Sequence, residues 1–390
     1  MNNRYNYNRQ KLVQSLPTGS SAVIIAGNAV LSRNADTSYP FRQDSNVLYL
    51  SDIRRPRVAL LADIEKDRWS LVVPDLTHVE KIFDDSDGWE QTVKQAGLND
   101  CIEWRHAISL LKERSAKGAI YYNYPNKRRQ YGTYANPFQA DVLSRLKRGG
   151  IFAEDVRPYT ARLRMIKQNY EIDAITQAVR ITELALSGYI NKPQQLIGTT
   201  EQAVADAITA NFYTRGVVHA YDPIVAFANN AATPHHYPDD SMIRSGGAVL
   251  FDVGAEYNGY AADISRTLSI GSSNDMQKLI DDVTNVQQVL IRSISPGGSW
   301  KELHACAVKE LTVVAGRHRY MKNQSIDDLF PYAIGHFLGL DVHDAGDYAA
   351  PFREGMVFTV EPGLHSREHG IGVRIEDDIV VTKTGAKIIN

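Results

Sequence analysis

The chain has 390 residues, 43% of them apolar and 23% charged, with a formal net charge of -2. That length exceeds what one ordinary core organises and implies two domains, while the near-neutral balance excludes a nucleic-acid or anionic-membrane surface as the main partner. No apolar run reaches transmembrane length, and the first one, at 22–31, is short, carries Asn28 and follows a polar lead, so it reads as a buried strand and not a signal peptide. Cys101 and Cys306, the only cysteines, are expected to be buried free thiols of a reducing cytosol.

In chain order, the first part reads as α/β. Apolar runs predict strands over 21–27, 47–53, 57–63, 69–73 and 119–123. The turn Ala26-Gly27-Asn28 is not followed by G-x-G-x-x-G, so no dinucleotide fingerprint is present. The charge cluster at 112–117 is expected to be a solvated face. Pro158 and mixed polar residues interrupt the periodicity at 152–162 and divide an N-terminal domain, 1–157, from a C-terminal domain, 158–390.

Ile172, Ile175, Val179 and Leu186 stripe a helix over 171–186. A second starts at Thr199, with Gln202 closing a capping box, and stops near Gly216. Met276, Leu279, Ile280, Val283 and Leu290 stripe a third that ends before Pro296-Gly297-Gly298, and Ser299 with Glu302 caps a fourth ending at Gly316. Hairpin-like strands fall at 247–254, 260–270, 355–361 and 373–382. Helices mixed with antiparallel pairs give the class α+β, and the twofold recurrence of a helix pair followed by strands hints at duplication.

The stretch 251–263 sets carboxylates inside an apolar, β-rich segment. Asn258-Gly259 signals a type I′ turn between arms at 249–253 and 261–269. With Tyr257 paired to Tyr260, Gly254 lies opposite Asp263 and Asp252 is its diagonal neighbour, roughly 7–8 Å away at the backbone; a single bulge would shift this register. Two buried carboxylates repel and lose hydration, which a divalent cation offsets. Taken alone, the pair also fits a hairpin whose aspartates face solvent, so the downstream residues decide.

His336 lies in Ile334-Gly-His-Phe-Leu-Gly-Leu-Asp-Val-His343, without H-E-x-x-H spacing, and by itself reads as a core histidine. Glu361 closes a strand before Pro362-Gly363. In 373–379, Arg374, Glu376 and Asp378 share one face and Asp377 takes the other. Together Asp252, Asp263, His336, Glu361 and Glu376 offer carboxylates enough to balance two divalent cations. The oxygen-rich set suits Mn²⁺, Co²⁺, Fe²⁺ or Zn²⁺ better than a thiolate zinc site, and two metals roughly 3.5–4 Å apart polarise a carbonyl as in aminopeptidase-type hydrolysis.

Five runs in order, Leu250-Phe-Asp-Val-Gly, Ala262-Asp-Ile-Ser-Arg-Thr, Gly335-His-Phe-Leu-Gly-Leu-Asp-Val-His-Asp, Thr359-Val-Glu-Pro-Gly-Leu and Gly372-Val-Arg-Ile-Glu-Asp-Asp, resemble the pita-bread metallopeptidases, specifically the aminopeptidase P and prolidase branch. Ser38-Tyr-Pro-Phe-Arg-Gln-Asp-Ser-Asn-Val-Leu-Tyr-Leu is similar to the recognition domain of aminopeptidase P, so the resemblance covers nearly the whole chain. It implies a pita-bread catalytic domain preceded by a smaller α/β domain. It assigns Asp252 and Asp263 to one metal and His336 and Glu361 to the other, with Asp263 and Glu376 bridging and Mn²⁺ as the first choice. His235 matches the upstream active-site histidine, with His236 as the fallback; His343 matches the second, and Arg374 a partner of the metal carboxylates. The implied chemistry is attack on the carbonyl before a proline in second position, with Glu361 shuttling a proton and His235 and His343 holding the substrate backbone and the oxyanion. A cytoplasmic homodimer or homotetramer acting on peptides follows from the same resemblance.

Three features depart from it. Tyr332 stands where aminopeptidase P commonly has histidine, His365 stands where tyrosine often follows Pro-Gly-Leu, and the segment 361–376 is short. The rival readings are a prolidase that takes only Xaa-Pro dipeptides and, in a different class, a non-catalytic peptide-binding module on the same fold. Such modules typically lose metal ligands, whereas all five matching positions are filled here.

Overall fold

The computed structural model describes residues 3–83, 88–125, 135–271 and 274–390. The chain forms two units, Met1–Leu163 and Arg164–Asn390. Among the described residues, the first is built on a six-stranded sheet in the order Asp100–Glu103, Arg68–Val73, Ala59–Asp63, Ser20–Ala26, Ala119–Tyr122, Ala153–Asp155. The central strand Ser20–Ala26 runs antiparallel to Ala59–Asp63 and parallel to Ala119–Tyr122. Its residues from Ala22 onward are buried on both faces, which is why it reads as a continuous apolar run without alternation. Leu111 of the helix Trp104–Ser115 and Val142 of the helix Pro137–Arg148 pack into the core beside it.

Four expectations fail here, each for a physical reason. Residues 47–53 form no strand; they belong to the helix Ser45–Ser51, whose cap Asp44 accepts from the amides of Asn46 at 2.9 Å and Val47 at 3.2 Å. That helix is buried nearly all round, so no 3.6-residue stripe distinguishes it from a core strand. The cluster at 112–117 is not uniformly solvated, because Arg114 is buried and donates from Nε and Nη2 to the Asp63 carboxylate at 2.7 and 2.8 Å. Cys101 is exposed, since Asp100–Glu103 is an edge strand with alternating exposure; Cys306 is half-buried, and both are free thiols. Pro158 interrupts nothing: it stands in the first turn of the helix Arg157–Met165, where a proline nitrogen without a proton is tolerated.

In the second unit two helix pairs, Asn169–Asn191 with Glu201–Thr214 and Asn274–Ser293 with Trp300–Arg317, are each followed by antiparallel strands. Thr200, not Thr199, caps the second helix, accepting from Ala203 N at 3.1 Å. The expected box of Ser299 and Glu302 forms at the fourth. No helix among the described residues is long and apolar enough to cross a membrane.

The first strand set, Ile224–Phe227, Gly247–Val253 and Ile264–Ile270, keeps the expected register: Tyr257 faces Tyr260 and Asp252 faces Ser265, with no bulge between. Asn258 and Gly259 turn the chain with φ of +53° and +89°, as a type I′ turn requires. At Gly254 a Cβ would lie 1.8 Å from the Ala262 carbonyl oxygen, so only glycine permits this approach.

The second set differs from the expected pair of long strands. Val357–Val360 pairs with Asp377–Val381, while Gly363–Ser366 pairs with Ile371–Arg374 as a separate hairpin. The predicted strand 373–382 breaks at 375–376, where Ile375 N donates to Pro362 O at 3.3 Å and Glu376 N to Ser265 O at 3.1 Å. The chain thereby crosses between sheets and ties the two sets together at Glu376.

The glycine-rich stretch after Gly335 has little regular structure and is held by a buried ion cluster. Asp344 accepts from Lys167 Nζ at 3.0 Å and pairs with Arg164, which also reaches Asp341 at 2.7 Å. The side chains of Arg164, Lys167 and Asp344 are 4%, 1% and 1% exposed. Burial alone would raise the Asp344 carboxyl, but the two cations hold it below its ordinary value. Replacing Asp344 by alanine leaves Lys167 buried without this carboxylate and Arg164 with Asp341, and is expected to cost about 3–5 kcal/mol, measured as a lowered Tm. Because the folded carboxyl titrates below the unfolded one, the contribution is present above about pH 3.8 and fades as pH falls. The Tm gap between wild type and variant should therefore narrow on acidification.

Candidate metal centre

Three elements of the second unit bring the candidate ligands together. Asp252 is the penultimate residue of the strand Gly247–Val253 and Asp263 precedes Ile264–Ile270, so the hairpin register sets both. His336 follows Gly335, whose absent Cβ would lie 2.0 Å from Thr359 O. Its main-chain amide donates to Thr359 Oγ1 at 3.1 Å, and the same hydroxyl donates to Glu361 Oε1 at 3.1 Å, so one threonine aligns two candidate ligands. Glu376 arrives through the crossing at 375–376.

The resulting distances are short. His336 Nε2 lies 3.3 Å from Asp263 Oδ2 and 3.5 Å from Glu361 Oε1. Its Nδ1 is 3.2 Å from Phe337 O, a pure acceptor, which puts the ring proton on Nδ1 and leaves Nε2 as the donor atom for a cation. Arg374 pairs with Asp252, donates from Nε to Ser265 Oγ at 2.8 Å and lies 3.8 Å from Glu376 Oε2; Ser265 Oγ in turn donates to Glu376 at 2.6 Å. Arg374 and Glu376 share a side while Asp377 turns away to Arg266 at 2.6 Å and Gln287 at 2.8 Å.

Electrostatics show what this cluster favours. Burial first, then the neighbouring Asp263, pushes the Asp252 carboxyl up to about 7 even though Arg374 opposes the rise. Burial and the charges of Asp263, Glu361 and Asp252 push Glu376 well above the ordinary carboxylate range. Tyr221 Oη lies 2.6 Å from Asp252 Oδ1 and 2.5 Å from Asp263 Oδ1, yet has a single proton for two carboxylates. Such a set needs extra protons or a cation, and Asp263, His336 and Glu376 each offer a ligand atom within 4.8 Å of the others. The donors therefore fit divalent metal on geometry, charge and chemical type.

A cavity of about 260 Å³ opens onto this cluster, lined by Tyr221, His235, Asp252, Asp263, Val342 and His343 among others. The His343 ring lies 4.1 Å from that of His336. Desolvation and the charge of Arg374 lower the pKa of His235, against the pull of Asp263. His236 also lines the cavity, but its Nε2 is 2.7 Å from Glu201 Oε2. Glu201, His236 and Asp239 form a second compact group, in which Glu201 also accepts from Phe227 N at 2.6 Å and Asn230 Nδ2 at 3.0 Å. These bonds fasten the helix Glu201–Thr214 to the segment carrying His235.

Sequence reasoning missed Tyr221, Ser265, Thr267 and Thr359. Ser265 and Thr267 follow Asp263 at period two, as Thr359 precedes Glu361, so strand alternation was the available signal. Tyr221 lies before the strand Ile224–Phe227 and carries no such signal.

The metallopeptidase family M24 model matches residues 173–383, and the model of the aminopeptidase P N-terminal domain matches residues 5–121. The Xaa-Pro aminopeptidase of Escherichia coli (strain K12) is 29% identical, covering 97% of this chain and 92% of its own. The Xaa-Pro dipeptidase of Pyrococcus furiosus is 33% identical over 58% of this chain and 63% of its own. Among solved structures, aminopeptidase P from E. coli with the inhibitor Pro-Leu superposes with a TM-score of 0.83 at 27% identity, covering 100% of this chain and 94% of that one. Pita-bread architecture, five motifs in order and both domain matches agree: the chain belongs to metallopeptidase family M24, in its aminopeptidase P branch.

Proposed function

We propose that this chain is a metal-dependent Xaa-Pro aminopeptidase that removes an N-terminal residue preceding proline. The observation that supports the reading is the compact group of Asp263, His336 and Glu376, with Glu361 3.5 Å from His336 and with Asp252 and Asp263 lining the cavity, in a protein alike over almost its whole length to an Xaa-Pro aminopeptidase. These five would hold two divalent ions, Mn²⁺ first. When bound, the ions supply Lewis-acid polarisation and lower the pKa of water.

The chain's own residues do the rest. Glu361, with Oε1 engaged by the Thr359 hydroxyl, takes a proton on Oε2 and returns it to the departing proline nitrogen. His235 and His343, at the cavity wall, hold the substrate backbone and donate to the developing oxyanion. Arg374 keeps Asp252 and Glu376 in place through its guanidinium and Ser265. The likeness to an Xaa-Pro dipeptidase keeps prolidase activity as the second reading. A binding module without catalysis is disfavoured by the complete donor set.

Chelated protein should cleave Xaa-Pro-Yaa peptides only after Mn²⁺ is restored, followed by mass spectrometry. Cleavage of Xaa-Pro alone would make it a prolidase, and silence with Mn²⁺, Co²⁺ and Zn²⁺ would overturn the peptidase reading. Asp263→Ala and Glu376→Ala should each lower activity by at least about 100-fold and reduce bound metal, while circular dichroism stays near that of wild type. His235→Ala and His343→Ala should lower kcat roughly 100-fold with metal content unchanged.

A further inference from the structure

The two positions that depart from the family resemblance touch each other. Tyr332 Oη lies 3.1 Å from His365 Nε2, with the rings 5.7 Å apart in an edge-on arrangement. His365 Nδ1 lies 2.9 Å from the carbonyl oxygen of Ala231. A carbonyl only accepts, so Nδ1 carries the proton, Nε2 accepts, and Tyr332 donates. The hydrogen bonds thus run one way, from Tyr332 through His365 to Ala231.

Burial, followed by the charge of Arg374, lowers the His365 pKa to about 3, so the ring stays neutral and the direction is kept. Glycines make the line possible. A Cβ at Gly363 would lie 2.3 Å from Tyr332 Oη, and one at Gly372 would lie 1.7 Å from Ala231 O. Gly372 is the strand partner of His365, so the hairpin Gly363–Ser366 with Ile371–Arg374 presses flat against the turn Ala228–Ala232.

That turn leads directly to His235. Beyond it, His236 is fastened to Glu201 at 2.7 Å, so the short segment from Ala231 to His236 is pinned at both ends. His235 hangs between the two pins, at the cavity wall. We propose that Tyr332 and His365 act as one positioning unit that fixes the segment Ala231 to His236 and thereby the reach of His235 toward the substrate. This rests on the reading of His235 as a substrate-holding residue.

The test is a mutant cycle with Mn²⁺-loaded protein and an Xaa-Pro-Yaa peptide. Tyr332→Phe and His365→Phe should each lower kcat roughly 10-fold or more with bound Mn²⁺ unchanged, and the double variant should be no worse than the poorer single. In a His235→Ala background, Tyr332→Phe should have no further effect. Additive losses, loss of Mn²⁺, or a further drop in that background would overturn the proposal. Histidine-selective ¹⁵N NMR separates it from the peptidase reading, because it needs no turnover. The His365 ring should be the Nδ1–H tautomer in wild type, and the His235 ring resonances should move in Tyr332→Phe. Unmoved His235 resonances would overturn the proposal even if the protein is an active peptidase.

Discussion

Buried negative charge is the constraint on which the second unit depends. Asp252, Asp263, Glu361 and Glu376 sit in or beside apolar strands, where each ionised carboxylate loses hydration worth several kcal/mol. Arg374 balances part of that charge, while burial, together with the neighbouring carboxylates, raises Asp252 and Glu376 above the ordinary carboxylate range. A divalent ion held by these carboxylates would offset that charge, which would link metal binding to the stability of this unit.

The frame that tolerates the strain is made of small, polar and missing side chains. Thr267 Oγ1 donates to Arg374 O at 3.0 Å and accepts from Arg374 N at 3.1 Å, standing in for sheet bonds where the two strand sets meet. Gly254 and Gly335 bring main chains closer than any Cβ allows. The segment carrying His336 is bonded along the strand Val357–Val360, with Thr359 N donating to His336 O at 3.0 Å and Leu338 N to Val357 O at 3.1 Å, and the Asp344 cluster ties its continuation toward His343. Precision here comes from backbone proximity and hydroxyl bridges more than from apolar packing.

Much of this was legible in the sequence, and what was not has physical causes. The turn Asn258-Gly259 announces itself through its need for positive φ, and it carries the register, so the juxtaposition of Asp252 and Asp263 could be read before any coordinates. Ser299 with Glu302 was equally readable because a capping box is local. Residues 47–53 were misread because a short helix buried nearly all round has no apolar stripe. Arg114 was misread because its partner Asp63 comes from a distant strand, and Tyr221 went unseen because its partners are fixed only by the fold. The break at 375–376 is a tertiary event, set by Pro362 and Ser265, with nothing in its own sequence to mark it.

The hairpin also acts as a ruler. Ten residues separate Asp252 from Asp263, and strand side chains alternate faces, so inserting or deleting one residue at the turn would send one aspartate to the opposite side. Composition along those arms can drift while the count cannot, unless a bulge compensates. In the divergence of such chains, length between these two acids should be inherited more strictly than the identity of almost any residue between them, because an odd change there would part the two carboxylates.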